Sequence, residues 1–196
     1  MINLHDSGYK KLFSNKVIAQ QLLESFVHEE WIKEIDFTQL EALDKSFVSD
    51  EYRERESDLL LKVRLRRREA YIYILLEFQS TVNPWMALRL LNYVVQFYLG
   101  YVASQPRVRR LPAVFPLLLY NGDRRWTAPE RLSDLLENAE IFGCCMPRFE
   151  YRKIVVNQFS REELLRIGNI VSTLFLAESS YDLGLLEAQL LRLFET

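Results

Sequence analysis

Residues 55–80 read RESDLLLKVRLRRREAYIYILLEFQS, and this stretch decides the fold. Two runs rich in Leu, Val, Ile and Tyr, 55–64 and 70–80, flank a charged tip at 64–69. Apolar runs of this length between charged residues are typical of β-strands, and a short polar tip between two of them predicts an antiparallel hairpin.

Side-chain alternation divides the second strand into two faces, because successive residues of a strand point to opposite sides. One face carries Ile72, Ile74, Leu76 and Phe78, and the other carries Tyr71, Tyr73, Leu75, Glu77 and Gln79. A turn centred between Arg67 and Arg68 would place Asp58 directly opposite Glu77. The sequence therefore predicts two carboxylates that meet on one face of the hairpin.

Two carboxylates this close, surrounded by apolar strand residues, repel each other unless one is protonated or a cation lies between them. Mg²⁺ takes oxygen ligands and is commonly held by one or two carboxylates together with a substrate phosphate. The pair predicts a metal site for phosphate chemistry. The alternative is a solvated pair of strand charges, or partners of Arg55 and Lys62. Glu77 favours the metal site, because a charge is unexpected inside YIYILLEFQ (71–79).

The surrounding pattern predicts an α/β (α+β) fold with the order helix, three strands, long helix and strand, followed by more α and β elements. A helix is expected at 6–28, with Asp6 or Ser7 as its N-cap, and an extended segment at 36–50. Asn83 and Pro84 predict the start of a long apolar helix that runs to Ser104 and is buried against the sheet. Further elements are expected at 113–119 (strand), 131–137 (helix), 151–157 (strand), 161–178 and 183–195 (helices).

Bulk composition bounds the class of protein. With 196 residues, 49% hydrophobic and 13% aromatic, the chain suits one domain, 1–196, with a core at about 5–160 and C-terminal helices at 161–196. The net charge of -2 gives no overall attraction to nucleic acid, so any such surface must be local. Adjacent Cys144 and Cys145 are expected in the core rather than in a zinc site or disulfide. Neither a membrane-spanning segment nor a signal peptide is recognised, which predicts a cytoplasmic protein without a membrane partner.

Five blocks in order resemble the Rpn family of recombination-promoting nucleases, also described as transposases. They are HDSGYKKLFS (5–14), ESDLLLKV (56–63), YIYILLEFQS (71–80), MALRLLNYVVQFY (86–98) and VFPLLLYNGDRRW (114–126). The resemblance covers about residues 5–160. That family belongs to the PD-(D/E)XK nuclease superfamily, so the resemblance implies a restriction-endonuclease-like core with a mixed central sheet flanked by helices and the order αβββαβ.

The resemblance also implies roles for three residues. Asp58 matches the metal-binding aspartate of the superfamily, although Ser57 stands where its proline would be. Glu77 matches the first acid of (D/E)XK and would bind the same Mg²⁺ or Mn²⁺. Gln79 stands in the lysine position, where its amide can orient the attacking water but cannot supply a positive charge or take a proton.

Other polar positions each have two interpretations. Arg89, Tyr93 and Gln96 form a helical stripe that either contacts phosphate or faces solvent. Asp6 and Glu24 are candidate accessory acids, with a helix cap and a surface charge as the alternatives, and His5 matches only the family's opening block. The tip residues Arg64, Arg66, Arg67 and Arg68 either reach DNA phosphates near the metal or form a solvated turn. His28 has no partner at ligand spacing.

The predicted function is a metal-dependent DNA endonuclease with a link to recombination or transposition. The alternative is a catalytically inactive module of the same fold that binds nucleic acid or a protein. The leucine-rich segment 183–195 either covers the core or mediates a homodimer. Strandedness, sequence preference, strand transfer and the biological event served are not determined by the sequence.

Overall fold

In the part of the chain that the structure describes, a five-stranded mixed sheet forms the centre, in the order β1-β2-β3-β4-β5. The computed structural model describes residues 4–43, 58–66, 68–77 and 81–180. Its strands are β1 (Ile35–Leu43), β2 (Asp58–Leu65), β3 (Arg68–Glu77), β4 (Ala113–Tyr120) and β5 (Arg152–Val155). β2 is antiparallel to β1 and β3, whereas β4 is parallel to β3 and to β5. This confirms the predicted mixed sheet.

Helices lie before, between and after the strands. They are α1 (Leu4–Phe13), α2 (Lys16–Phe26), α3 (Met86–Ser104), α4 (Ala139–Phe142), α5 (Arg161–Ile167) and α6 (Ile170–Ser180). The succession contains the expected order of helix, three strands, helix and strand, with the first helix divided in two. The predicted segment 183–195 lies outside the described residues, as do 44–57.

Two helix boundaries differ from prediction for local reasons. The helix expected over 6–28 is interrupted because the Asn15 side chain caps a new helix, accepting hydrogen bonds from the backbone N–H groups of Val17 and Ile18. Asp6 and Ser7 both lie inside α1 rather than ahead of it, so the prediction that one of them caps this helix is wrong. The helix expected over 161–178 is divided at Gly168, which closes α5 in the left-handed conformation.

The alternation predicted for β3 is confirmed by burial on both faces of the sheet. Ile72, Ile74 and Leu76 pack with α1, α2 and α6 in one core. Tyr71, Tyr73 and Leu75 pack with α3 in a second core. Each fully buried Leu or Ile of these layers contributes roughly 1.5–3 kcal/mol through removal of its apolar surface from water. The sheet is therefore covered on both sides.

α3 runs antiparallel to β3 across the second core. Tyr71 contacts Phe97, with ring centroids 4.9 Å apart, while Tyr73 stacks on Tyr93 at 5.6 Å. Since residues later in β3 meet residues earlier in α3, the first turns of α3 lie towards the carboxyl end of β3. The opposite side of α3 exposes Leu88, Val95, Leu99 and Val102, so burial is confirmed for one side of this helix only.

Cys144 and Cys145 are exposed, so their predicted burial is wrong. Both lie in a single 3-10 turn that begins at Gly143, apart from the two cores. Among the helices of the described ranges, not even the 19-residue α3 is long and apolar enough to cross a membrane.

Gly168→Ala should lower the free energy of unfolding by about 1–2 kcal/mol, because a Cβ is strained at its φ of 60°. Gly8→Ala is the matched control, since Gly8 lies inside α1 and an added Cβ there meets no atom within 4 Å. It should raise the free energy of unfolding by about 0.5–1 kcal/mol. Urea denaturation measures the free energy of unfolding of both variants. Equal shifts of the same sign would contradict the assignment of Gly168 as the left-handed junction between α5 and α6.

Candidate active site

Asp58 and Glu77 lie at the same end of the sheet, where β2 begins and β3 ends. Asp58 pairs with Leu75, not with Glu77 as the sequence predicts. The predicted register is wrong by two residues because Leu65 already pairs with Arg68, which leaves a two-residue turn that starts at Arg66 with a φ of 48°. Two-residue turns usually carry Asn-Gly or a similar pair, and this tip has no such signal.

A shift of two residues preserves the face, whereas a shift of one would reverse it. Glu77 follows Leu75 by two positions, so the backbone places Asp58 and Glu77 on the same side of the sheet, diagonal to each other. Diagonal neighbours on adjacent strands have Cα atoms about 7–8 Å apart, within reach of a shared ion between two carboxylates. Their side chains, and all of Gln79, lie outside what the structure describes.

The side of the sheet that carries these two positions is the one covered by α3. Leu75 lies on the same face of β3 as Glu77, and Leu60 lies on the same face of β2 as Asp58. Both leucines are buried in the second core, beneath α3. On the other side of β3, Tyr120 of β4 pairs with Glu77. Tyr120 is fully buried and packs on Trp126, with centroids 4.8 Å apart. The carboxylate positions therefore border a rigid aromatic layer.

Trp126 is itself held by Tyr151, whose hydroxyl accepts a hydrogen bond from the indole N–H at 3.2 Å. Burial raises the pKa of the Tyr151 hydroxyl to about 12, so this hydroxyl stays neutral at physiological pH. These buried polar groups pair with each other and stabilise the segment that follows β4.

The polar stripe of α3 is partly buried. Tyr93 is buried, and its hydroxyl accepts a hydrogen bond from Arg89 Nε at 3.1 Å. The Arg89 guanidinium also lies 5.8 Å from the Tyr93 ring centroid. The interpretation that the stripe faces solvent is therefore wrong for Tyr93, and Gln96 is half-buried. Arg89 lies one turn earlier than Tyr93 and hence nearer the end of β3 that carries Glu77.

Glu24 and His28 are exposed on the surface before β1. Glu24 accepts a hydrogen bond from Gln20 and borders a hollow with residues 27–33. That segment leads into Ile35, which pairs with Leu65 at the hairpin end of the sheet. This position favours the surface-charge interpretation of Glu24. The side chains of His5 and Asp6 lie outside the description.

The hairpin tip is at the opposite end of the sheet from Asp58 and Glu77. Seven residue steps separate Asp58 from Leu65 along β2, which corresponds to about 23 Å at 3.3 Å per residue. Arg64, Arg66 and Arg68 therefore do not lie beside the carboxylates, and the expectation that they reach phosphates near the metal is wrong. Arg67 lies outside the described residues.

Sequence reasoning did not single out the arginines of the loop that follows β4. Arg124 and Arg125 are exposed a few residues after Tyr120, on the strand end that borders Glu77. Asn157 Nδ2 holds this loop by donating to the backbone carbonyls of Gly122 and Arg124, at 2.7 and 3.1 Å. Both arginines stand in the block 114–126, directly after the Asn-Gly turn that closes the predicted strand, and this position could have marked them as exposed at the strand end.

A second missed feature is a polar cluster of Tyr9, Asn121 and Glu178. Asn121 Nδ2 lies 3.1 Å from Glu178 Oε2 and 3.4 Å from the Tyr9 hydroxyl. Burial, followed by the charge of Glu178, raises the pKa of the Tyr9 hydroxyl well above its ordinary value. The cluster ties α1 and α6 to the carboxyl end of β4, next to the strand end that carries Glu77.

Among the side chains that the structure describes, no group of three or more His, Cys, Asp or Glu residues is arranged to hold a metal. Asp58 and Glu77 are outside that set. Two carboxylates with open positions for water and phosphate nevertheless match the oxygen donors that Mg²⁺ prefers.

Comparison with known proteins identifies a family. The model of the family described as "Putative transposase, YhgA-like" matches residues 3–191. The chain is similar to the recombination-promoting nuclease RpnD of Escherichia coli O157:H7, with 31% identity over 120 residues, 61% of this chain and 46% of the relative. It is also similar to RpnA of Escherichia coli K12, with 30% identity over 118 residues, 60% of this chain and 40% of the relative. The chain thus spans less than half the length of these two relatives.

Some similar proteins are named as inactive. RpnE of Escherichia coli K12, an "Inactive recombination-promoting nuclease-like protein", is 29% identical over 119 residues, 61% of this chain and 39% of the relative. No solved structure matches the chain. The family is therefore one of nucleases and inactive relatives.

Asn121→Asp should destabilise the protein more at pH 8 than at pH 4. The new carboxyl would face that of Glu178, and mutual repulsion would raise the pKa of the pair in the folded state. A carboxyl pKa raised by folding costs stability above that pKa, and the cost disappears as the pH falls below the unfolded value of about 4.

Asn121→Ala is the control, since it removes the same hydrogen bonds without adding a charge. It should lower the free energy of unfolding by about 1–3 kcal/mol at both pH values. Urea denaturation at each pH gives the comparison. An identical pH dependence of the two variants would show that Glu178 does not face position 121.

Proposed function

The chain belongs to the YhgA-like transposase family, and on that premise we propose that it is a metal-dependent DNA endonuclease of the PD-(D/E)XK type. The observation that carries the proposal is the position of Asp58 and Glu77 on one face and at one end of the β2–β3 pair. Both are the acids that the resemblance to recombination-promoting nucleases assigns to metal binding. The proposed reaction is hydrolysis of a phosphodiester bond.

In this mechanism Asp58 and Glu77 would hold Mg²⁺ or Mn²⁺ through their carboxylate oxygens. A bound divalent ion polarises the phosphate and lowers the pKa of a coordinated water. Both acids come from paired strands of a sheet covered on both sides, so their backbone positions need no rearrangement before substrate binds. Gln79, two residues after Glu77, would orient the attacking water through its amide, which both donates and accepts.

Positive charge for the transition state must come from residues other than position 79, because glutamine is neutral. Arg89 lies on the first turns of α3, which approach the carboxyl end of β3. Arg124 and Arg125 are exposed on the loop after the adjacent strand. We assign these three guanidinium groups to the phosphate oxygens, which they can bind through paired N–H donors.

Asp58→Ala and Glu77→Ala should each slow cleavage of supercoiled plasmid DNA in Mg²⁺ by at least about 100-fold. Changes in groups that only support metal ligands already cost about 10–100-fold, and these are the ligands themselves. Glu41→Gln is the matched control, an exposed acid of the neighbouring strand β1. Chelation of the metal should stop cleavage by the parent protein.

The nuclease assignment is wrong if Asp58→Ala cuts plasmid at the parental rate in Mg²⁺. If Glu41→Gln cuts DNA at the rate of the parent, the loss of cleavage is specific to positions 58 and 77. Circular dichroism of each variant separates a lost ligand from a lost fold.

A module without catalytic activity is the second candidate, favoured by relatives named as inactive and by glutamine in place of the superfamily's lysine. Titration with Mn²⁺, followed by calorimetry, distinguishes the two. If the chain is a nuclease, it should bind Mn²⁺, and Asp58→Asn should weaken its affinity for Mn²⁺ at least about tenfold. A module that has lost its metal site should show no binding that depends on Asp58.

A further inference from the structure

A dense group of arginines lies at the hairpin end of the sheet. The arginine surface comprises Arg64, Arg66 and Arg68 from the β2–β3 hairpin and Arg107, Arg109 and Arg110 from the α3–β4 loop; all six are exposed. Sequence alone shows two separate clusters about 40 residues apart. The parallel pairing of β3 with β4 joins them, because Ala70 pairs with Ala113 and both strands begin at this end.

The two halves of the arginine surface form one hollow. Arg66, Arg68 and Arg110 line a concavity of about 830 Å³ together with Glu69 and Leu111. The loop is held in place by Tyr98 of α3, whose hydroxyl donates to the carbonyl of Pro112 at 3.1 Å. The hollow is therefore formed by a hairpin and an anchored loop.

Positive charge dominates this end of the molecule. Glu34 forms a bidentate pair with Arg66, Glu69 pairs with Lys62 at 2.8 Å, and Asp36 lies opposite Arg64 in the β1–β2 register. Among the described residues, six arginines and Lys62 stand against four acids, because Glu41 lies opposite Lys62, and this leaves an excess of three positive charges. The whole chain carries a net charge of -2, so the concentration of positive charge is local.

The chemistry of the surface favours a sugar-phosphate backbone as its ligand. Every cation of the six-residue group is an arginine, whose planar fork matches phosphate oxygens, and none lies on an amphipathic helix of the kind that binds lipid surfaces. Among the described residues that line the hollow, Leu111 is the single exposed large apolar side chain, and it lies beside the charged groups of Arg66, Arg68 and Arg110. Phosphate contacts of this sort bind nucleic acid without reading sequence.

We propose that the arginine surface is a second nucleic-acid binding site, which grips phosphates about 23 Å from the carboxylate end of the sheet. This inference deepens the proposed nuclease function. At 3.4 Å per base pair, that separation corresponds to about seven base pairs. The surface anchors the substrate at one end of the sheet while Asp58 and Glu77 act at the other.

Binding without divalent metal tests the proposal independently of cleavage. Fluorescence anisotropy with a 30-base-pair duplex, at several salt concentrations in EDTA, gives the Kd and its salt slope. Arg68→Gln/Arg110→Gln should weaken binding about tenfold or more and reduce the slope by about 1.8, since each phosphate contact contributes about 0.9. Arg107→Gln/Arg109→Gln should act similarly and serves as a second variant if the first does not fold.

The matched control is Arg161→Gln/Arg166→Gln, which removes two exposed arginines from α5. It should leave the Kd and slope within about twofold of the parent. Parental binding by both variants of the arginine surface would overturn the proposal. So would arginine-dependent binding to phosphatidylserine vesicles without binding to the duplex or to a 30-nucleotide single strand.

Cleavage provides the second readout. If the chain cuts DNA, the Arg68→Gln/Arg110→Gln variant should raise KM in proportion to Kd with kcat retained, because binding far from the reacting bond is equal in the ground and transition states. A lowered kcat with unchanged KM would contradict an anchoring role. A parent that binds DNA through these arginines but never cuts it would refute the nuclease function and leave the binding site standing.

Discussion

The antiparallel pairing of β2 with β3 is the constraint on which the remaining structure depends. β3 is the central strand, hydrogen-bonded to β2 on one edge and to β4 on the other. The register from Asp58–Leu75 to Leu65–Arg68 directs Leu59, Leu61 and Val63 to the core beneath α1 and α2. A shift of this register by one residue would turn these side chains to the other face of the sheet and disrupt the packing of both cores.

The same pairing gives the sheet two chemically different ends. Because β2 begins with an acid and β3 ends with one, carboxylates collect where the hairpin opens. Because the hairpin closes through arginines, positive charge collects at the other end, and the start of β4 adds the arginines of the preceding loop. In a protein that bound a polyanion, such a division would separate Asp58 and Glu77 from the arginines that attract the ligand.

Packing between β3 and α3 connects the core with the candidate site. Tyr73 and Tyr93 stack in the middle of the layer, and the antiparallel course of α3 then brings Arg89 towards the carboxyl end of β3. On the opposite face, Tyr9, Asn121 and Glu178 tie α1 and α6 to the end of β4. The part-buried hydrogen bonds at both positions stabilise this end of the sheet, since breaking one removes a partner from a half-buried donor or acceptor.

Periodicity in the sequence was enough to determine the strands, the long helix and the two faces of β3, because alternation is a local property of the backbone. It did not determine the register, since the turn at Arg66 lacks the residues that mark a two-residue hairpin. Nor could it bring Arg110 beside Arg68 or Asn121 beside Glu178. Those neighbours are distant along the chain, and only the order of strands in the folded sheet decides which of them meet.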